Sequence, residues 1–583
     1  MDTVNNFYLI LNKYKNFFFI YIFVLFLAAC GGGEGDSDDE VIVNNGDPDA
    51  GLVSSNPDPD PEPEETTEPA PDAGPDPDPV VSPTPIVENN VALYVADQDV
   101  DELFEIFSFN PTSSSVSKIN NTLANCDAIT GVTWTKNLNK IVYSGSENTS
   151  GVNELYSADP DGGNKVKLNS SLISGGNVIS FLVSPNNSHV AYIADQDTDG
   201  VNELYSVQID GSNETKLNGS IVAGGNVTSI QWSPDGSKIT YLADQSSNDV
   251  FELYSVNTNG SGRVKLNASL VSNGDVTDWK WSPDNNFIVY RADQDNNQVF
   301  ELYKVNPNAT NRVKLNGSLV SGGDVLESWE ISPNSTKVAY LAEQDTNNVA
   351  ELFTVNADGS NRVKVNADLS TGRNVVDWQW APDSSLLSYV ADQSGLAEFS
   401  LYSVDPAGNN RTLLSLPLAT GGSFQSVKWA PDSSLVFYSA EQETLGVNEL
   451  YSTEPDGNNL VKLNSSFVTG GSIPDADAWK PSPDSTRVLY RADQNTINVY
   501  ELFVVNANGA QTPIRLNTSL PTGGDVESFS WSPQGSKVLY HADQNTGGRL
   551  ELYTINSDAS NRTKINGALT SGGNVKEFSW IGS

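Results

Sequence analysis

The sequence predicts an all-β fold: a closed β-propeller of about ten four-stranded blades. Three observations lead there. The tripeptide Ala-Asp-Gln or a near variant recurs, with its third residue at Gln98, Glu147, Gln196, Gln245, Gln294, Gln344, Gln393, Gln442, Gln494 and Gln544. The spacings are 49 or 50 residues, with one of 52, and a fixed period of that size marks a solenoid, a propeller or an array. Each period holds four short β-rich runs parted by Gly, Pro, Asn and Asp, without sustained helical periodicity, and four strands per repeat make a propeller blade. The repeat region also opens on a second strand ("VALYVADQ") and ends on a first strand ("VKEFSW"). The final strand can therefore complete the first blade and leave no open edge.

Residues ahead of the repeats belong to other classes. Lys13 and Lys15 precede an apolar run from Phe17 to Leu27, followed by Leu27-Ala28-Ala29-Cys30. This is the layout of a secretory signal over residues 1–29. Eleven apolar residues at about 1.5 Å each cover only about half of a ~30 Å hydrocarbon core, so a membrane-spanning helix is disfavoured. The LAAC sequence resembles the bacterial lipobox, which implies cleavage before Cys30 and lipidation of that cysteine. From Gly31 to Asn90 there are 17 acidic residues and no Lys or Arg, with proline at every second or third position over long stretches. Such a segment has too little apolar material to fold, and its composition predicts a disordered stalk over residues 30–90.

Residues 91–583 carry 56 acidic and 30 basic residues, a formal charge of about −26. Nucleic acid and anionic lipid both require basic surface, so neither is expected as the main partner. With Cys30 lipidated, Cys126 is left without an intramolecular partner. All eleven tryptophans, from Trp134 to Trp580, fall in first strands. Trp279 and Trp281 are two apart and so share a strand face, as do Trp378 and Trp380. A recurring aromatic at one blade position is expected to fill the space between blades. Ten first strands and ten ADQ-type segments predict one ten-bladed ring, with two five-bladed rings as the alternative.

The run "SPDGSKITYLADQ…ELYSVNTNGSGRVKLN" resembles the repeat of TolB-type (WD40-like) β-propellers, also found in propeller domains of prolyl-oligopeptidase-like enzymes. The best-kept turns are Ser233-Pro234-Asp235-Gly236 and Ser282-Pro283-Asp284. The resemblance implies an extracytoplasmic protein-binding platform. The chain departs from it by carrying an acidic stalk where TolB carries a small α/β domain, and the peptidase relatives' α/β-hydrolase domain has no counterpart here.

Candidate chemistry lies in the loops. Asp195-x-Asp197-x-Asp199-Gly200 begins like a calcium loop, but an EF-hand needs a bidentate Glu at position twelve, where this chain has Ser206. A looser calcium site from Asp195, Asp197, Asp199 and Glu203 is the one metal candidate; no other cofactor is implied. The competing expectation is that Asp195 caps turn amides while Glu203 sits on an exposed edge. A glutamate recurs seven residues after the motif, as Glu252, Glu351, Glu449, Glu501 and Glu551, with Ser400 in one blade. Like carboxylates at symmetric places do not form the unlike pair that acid–base catalysis requires. The glycine pairs Gly224-Gly225 and Gly322-Gly323 are expected to serve tight turns. His189 and His541 fall in different repeats, and no GxSxG or HExxH sequence occurs.

The function expected from these observations is that of a non-enzymatic cell-envelope lipoprotein. It would be anchored to the outer membrane through Cys30, face the periplasm or the medium, and present its propeller to envelope proteins. A second reading is a multivalent, calcium-assisted binder of glycan or peptidoglycan. A hydrolase or lyase at the channel mouth ranks third.

Overall fold

The computed structural model describes residues 91–580 except 122, 124–128, 136–139 and 394–397, together with the backbone of Ile42–Val43. The signal segment, Cys30, the remainder of the stalk and Cys126 lie outside the described residues.

Ten antiparallel sheets follow the sequence period, each with an inner, second, third and outer strand, in chain order in blades two to ten. In the fifth blade these are Val276–Trp281, Ile288–Asn296, Val299–Val305 and Val313–Lys314. The six positions of that inner strand, Val276-Thr277-Asp278-Trp279-Lys280-Trp281, serve as the reference for all blades. The first blade is built from both ends of the repeat region: Val575–Trp580 supplies its inner strand and pairs with Ala92–Ala96, with Tyr94 opposite Phe578. Outer strands are only two residues long in blades two to ten, which limits the exposed edge.

Blades meet through apolar side chains. Among the described residues there are ten hydrophobic clusters, each shared by two neighbouring blades. The junction of blades five and six is filled by Phe287, Val289, Trp329 and Tyr340, and that of blades ten and one by Leu539, Leu552, Ala92 and Tyr94. Two five-bladed rings would instead join blade five to blade one and blade ten to blade six. The chain is therefore one closed ring of ten blades.

The tryptophans occupy inner strands as the sequence predicts. Trp279 and Trp281, two apart on one face, both donate their indole N–H to Thr240 Oγ1 of the preceding blade, at 2.8 and 2.9 Å. A glycine pair has two separate causes. Gly224 has φ +87°, the left-handed region that favours glycine. Gly225 has room for no Cβ, because Asp244 O would lie 2.7 Å from it.

Two irregularities carry consequences. The 52-residue spacing falls in the ninth blade, whose inner strand is cut to Trp479–Pro481. The extra residues form a turn in which Ala478 N donates to Asp475 O at 3.2 Å and Asp477 N to Asp475 Oδ1 at 3.0 Å. In the second blade, Ile42–Val43, within the segment expected to be disordered stalk, adds a fifth strand parallel to the inner strand.

Candidate functional site

The repeated motifs are engaged in holding blades together, as the fifth blade illustrates. Asp293, the motif's aspartate, accepts from Asp275 N at 2.6 Å and from Gln298 N at 2.9 Å, fastening the second strand's end to the loops beside it. Gln294 Oε1 accepts from Ala268 N of the fourth blade at 2.8 Å and from Tyr290 OH at 2.9 Å. Phe300 N donates to Asp324 Oδ1 of the sixth blade at 2.7 Å. The Ser-Pro-Asp turn reaches the same neighbour, with Asp284 N donating to Ser335 Oγ at 3.1 Å. Arg312 reaches back to Leu266 O of the fourth blade. Buried polar groups need such partners, and for Gln294, Phe300, Asp284 and Arg312 they lie in adjacent blades.

The recurring glutamate is not on an exposed edge. Glu252, Glu301, Glu449, Glu501 and Glu551 are all buried. Glu551 pairs with Lys564 of the outer strand and accepts from Tyr553 OH at 2.7 Å. Burial opposes its charge and is the largest single effect, but the bonds from Lys564, Tyr553 and Asn545 together outweigh it and lower the carboxyl's pKa below the ordinary value. The lysine is not legible from the acidic loop alone, because it sits thirteen residues on from the glutamate, across a strand pair. One blade confirms the coupling within this single chain: where Ser400 replaces the glutamate, Leu413 replaces the lysine.

The calcium candidates resolve in the same way. Asp195 accepts from the backbone amides of Asn177 and Gly200. Lys216 bonds both Asp197, at 3.2 Å, and Glu203. Glu203 also accepts from Tyr205 OH at 3.0 Å, and Asp199 lies on an exposed loop. A lysine ammonium thus stands where the carboxylates converge. Among the described residues no group of three or more His, Cys, Asp or Glu is disposed to hold a metal ion.

Chemistry that differs from blade to blade gathers on the inner wall. At position five, Gln231, Lys280, Gln379, Lys428 and Lys480 each reach a main-chain carbonyl of the next inner strand: Trp279 O, Trp329 O, Val427 O, Trp479 O and Phe529 O, at 2.6 to 3.0 Å. Lys428 also donates to Ala476 O in the ninth-blade turn at 3.0 Å and lies over the Trp479 ring, 4.4 Å from its centroid. Burial pushes its ammonium down to about 8, against the pull of Asp477 and Asp475. Lys480 is lowered by burial too. Arg491 donates to Asp475 at 2.7 Å and to Glu527 O at 2.7 Å. Asp278, in the fifth blade, is pushed up to about 6 by burial.

This wall is lopsided. Positions three and five hold Gly131 and Thr133, Ser180 and Leu182, and Ser229 and Gln231 in blades two to four. At these positions the charged side chains stand on blades five to nine and, as Glu577, on blade one. Unlike titrating groups whose environments pull their pKa values apart mark a candidate site. The centre of this one is the ninth-blade turn, with Lys428, Lys480 and Arg491 around an exposed Asp477. Neither histidine joins it as a base: Ser188 Oγ lies 2.8 Å from His189 Nδ1 in the third blade, and His541 is buried.

Residues 174–375, which span blades three to six, match the TolB beta propeller domain. No curated protein sequence matches the chain. Among solved structures it is similar to a TolB-type protein from Agrobacterium tumefaciens at 16% identity, covering 47% of this chain and 88% of that one, TM-score 0.25. It is similar to dipeptidyl peptidase 4 of Porphyromonas gingivalis at 13% identity, covering 74% and 59%, TM-score 0.44. A eukaryotic initiation factor is similar at 12% identity, covering 73% and 96%, TM-score 0.41.

Proposed function

We propose, for a chain that carries the TolB-type β-propeller repeat, that it is a non-enzymatic binding platform of the cell envelope. The lipobox-like LAAC places its anchor at Cys30, and the partner is an envelope protein that engages the ring at its channel. The observation that carries this reading is the division of labour among residues. Groups the repeat shares are engaged within a blade, as Glu551 is with Lys564, or between blades, as Gln294 is with Ala268, so the ring's own assembly accounts for them. What the repeat does not account for is the lopsided wall, and above all the ninth-blade turn, where an insertion interrupts an inner strand and leaves Asp477 exposed between cations. A non-enzymatic role is favoured by how those cations are held, on main-chain carbonyls and on Asp475 rather than beside a nucleophile.

The test is an affinity capture from envelope extract with the full chain bearing Cys30→Ser, so that lipid does not contribute, and the same chain with Asp477→Arg. Enrichment of one envelope protein by the first and its loss with the second supports the reading. Equal capture by both, or capture of glycan only when calcium is present, overturns it. Turnover of an envelope polymer by the purified chain would reinstate an enzyme.

A further inference from the structure

We infer that the inner edge of the second blade is a strand-acceptor site whose occupant is the chain's own stalk segment at Ile42–Val43. Inner strands of a propeller face the central channel with one unpaired edge, and an unpaired edge is a template for strand addition. In this ring half of such edges are obstructed by a side chain of the preceding blade. Position-five side chains cover the position-four carbonyl of the following blade at Trp279, Trp329, Val427, Trp479 and Phe529. The residue that would cover Val132 in the second blade is Ser579 of the first, too short to reach across. Position three is blocked elsewhere by a side chain, from Ser180 and Ser229 to Asp278 and Glu577. In the second blade it is Gly131, and glycine within a strand marks a place where another backbone approaches closely.

The stalk meets that opening. Ile42 pairs with Gly131 and Val43 with Val132, in parallel. Gly131 is buried, whereas Ser180 and Ser528 at the same position are exposed. Val41-Ile42-Val43 is also the only run of three consecutive β-branched residues between Gly31 and Asn90, the residue type that strands favour. Glycine without a cover above it, and a β-branched triplet in an acidic, proline-rich stretch, are separate departures from their surroundings that fit each other.

Docking sets the length of the tether. Twelve residues part Cys30 from Ile42, at most about 40 Å of extended chain. Released, the sixty residues from Gly31 to Asn90 could reach about 190 Å in an extended proline-rich conformation. If Cys30 is lipidated, as the proposed function holds, docking draws the ring toward the membrane. The pairing itself does not depend on the anchor.

Hydrogen–deuterium exchange on the full chain with Cys30→Ser tests it, comparing that chain with the same chain bearing Ile42→Pro, which removes an amide and disfavours the strand. A second variant, Gly131→Glu, installs the side chain that Glu577 already places at this position in the first blade. Peptides covering Ile129–Trp134 are expected to exchange at least about fivefold faster in both variants, with Val178–Val183 of the third blade unchanged. Equal exchange in all three chains overturns the inference, as does protection that rises with protein concentration, which would assign the edge to a second copy.

Discussion

His541 packs edge-on against Phe578, ring centroids 5.2 Å apart, across the seam at which the last strand closes the ring. Its other neighbours offer little to a proton. Ser528 Oγ lies 3.4 Å from Nε2, Nδ1 makes no hydrogen bond, and the charge that shifts it is the like-signed Arg491. Burial therefore pushes its pKa down to about 4, with Arg491 adding to the effect.

Because the folded-state pKa lies below the unfolded value of about 6.5, the unfolded chain binds the proton more readily between those two pH values. Stability from this group is complete above pH 6.5 and is lost as pH falls toward 4, by up to about 3 kcal/mol. Leu242 and Leu341 stand at the equivalent position in other blades, so His541→Leu should fold. Thermal melts from pH 7 to pH 4.5 are expected to fall less steeply for His541→Leu than for the parent. Parallel slopes would show that the seam is not the site of acid sensitivity.

The glutamate–lysine pair should behave as a unit. Glu301→Gln alone leaves Lys314 without its buried partner and is expected to cost about 1–2 kcal/mol, discounted because the lysine is partly exposed. The double change Glu301→Ser with Lys314→Leu copies the seventh blade and should recover part of that loss. Urea midpoints followed by tryptophan fluorescence measure both. Additive losses in the double variant would mean the two positions are not coupled.

Calcium should do little. With Lys216 bonded to Asp197 and Glu203, melting temperatures in calcium and in EDTA are expected to agree within about 1 °C, since only a ligand that binds the folded state stabilises it. Lys216→Met removes the competing ammonium, and calcium stabilisation confined to that variant would identify the lysine as the loop's built-in cation. Stabilisation of the parent by calcium would restore the metal reading.

Ring closure rests on one strand. Deleting residues 575–583 removes the partner of Ala92–Ala96 and exposes an edge beside the apolar cluster of Tyr94 and Leu539. Light scattering after size exclusion is expected to show association of the truncated chain, while the parent stays monomeric. A monomeric truncated chain with an unchanged melting temperature would show that the ring does not need its last strand.

Much of the ring was legible before any coordinates. The recurrence of Ala-Asp-Gln, the eleven tryptophans in first strands and the offset ends gave strand order, blade size and the closure of Trp580 onto Ala92. Site chemistry was less legible. Glu203 and Asp197 read as an acidic cluster because their answering charge, Lys216, lies on another strand. Lys428 lies in the eighth blade and Asp475, Asp477 and Arg491 in the ninth, and nothing in the sequence marks them as neighbours except the 52-residue spacing, the visible trace of the turn that unites them.

The division has a physical cause. By itself the sequence determined what is settled within one period: alternation along a strand, the glycines and prolines of each turn, and the aromatic that fills the space between blades. Such features depend on neighbours a few residues away. Whether ten blades make one ring or two depends on the small rotation from each blade to the next, summed over the circle, and no single repeat encodes that sum. Only the packing of blade five on six and of ten on one decided it. Packing likewise gave the repeated glutamates their lysine partners and the repeated glutamines their bonds between blades, and it brought the unlike charges of three repeats to one stretch of the inner wall.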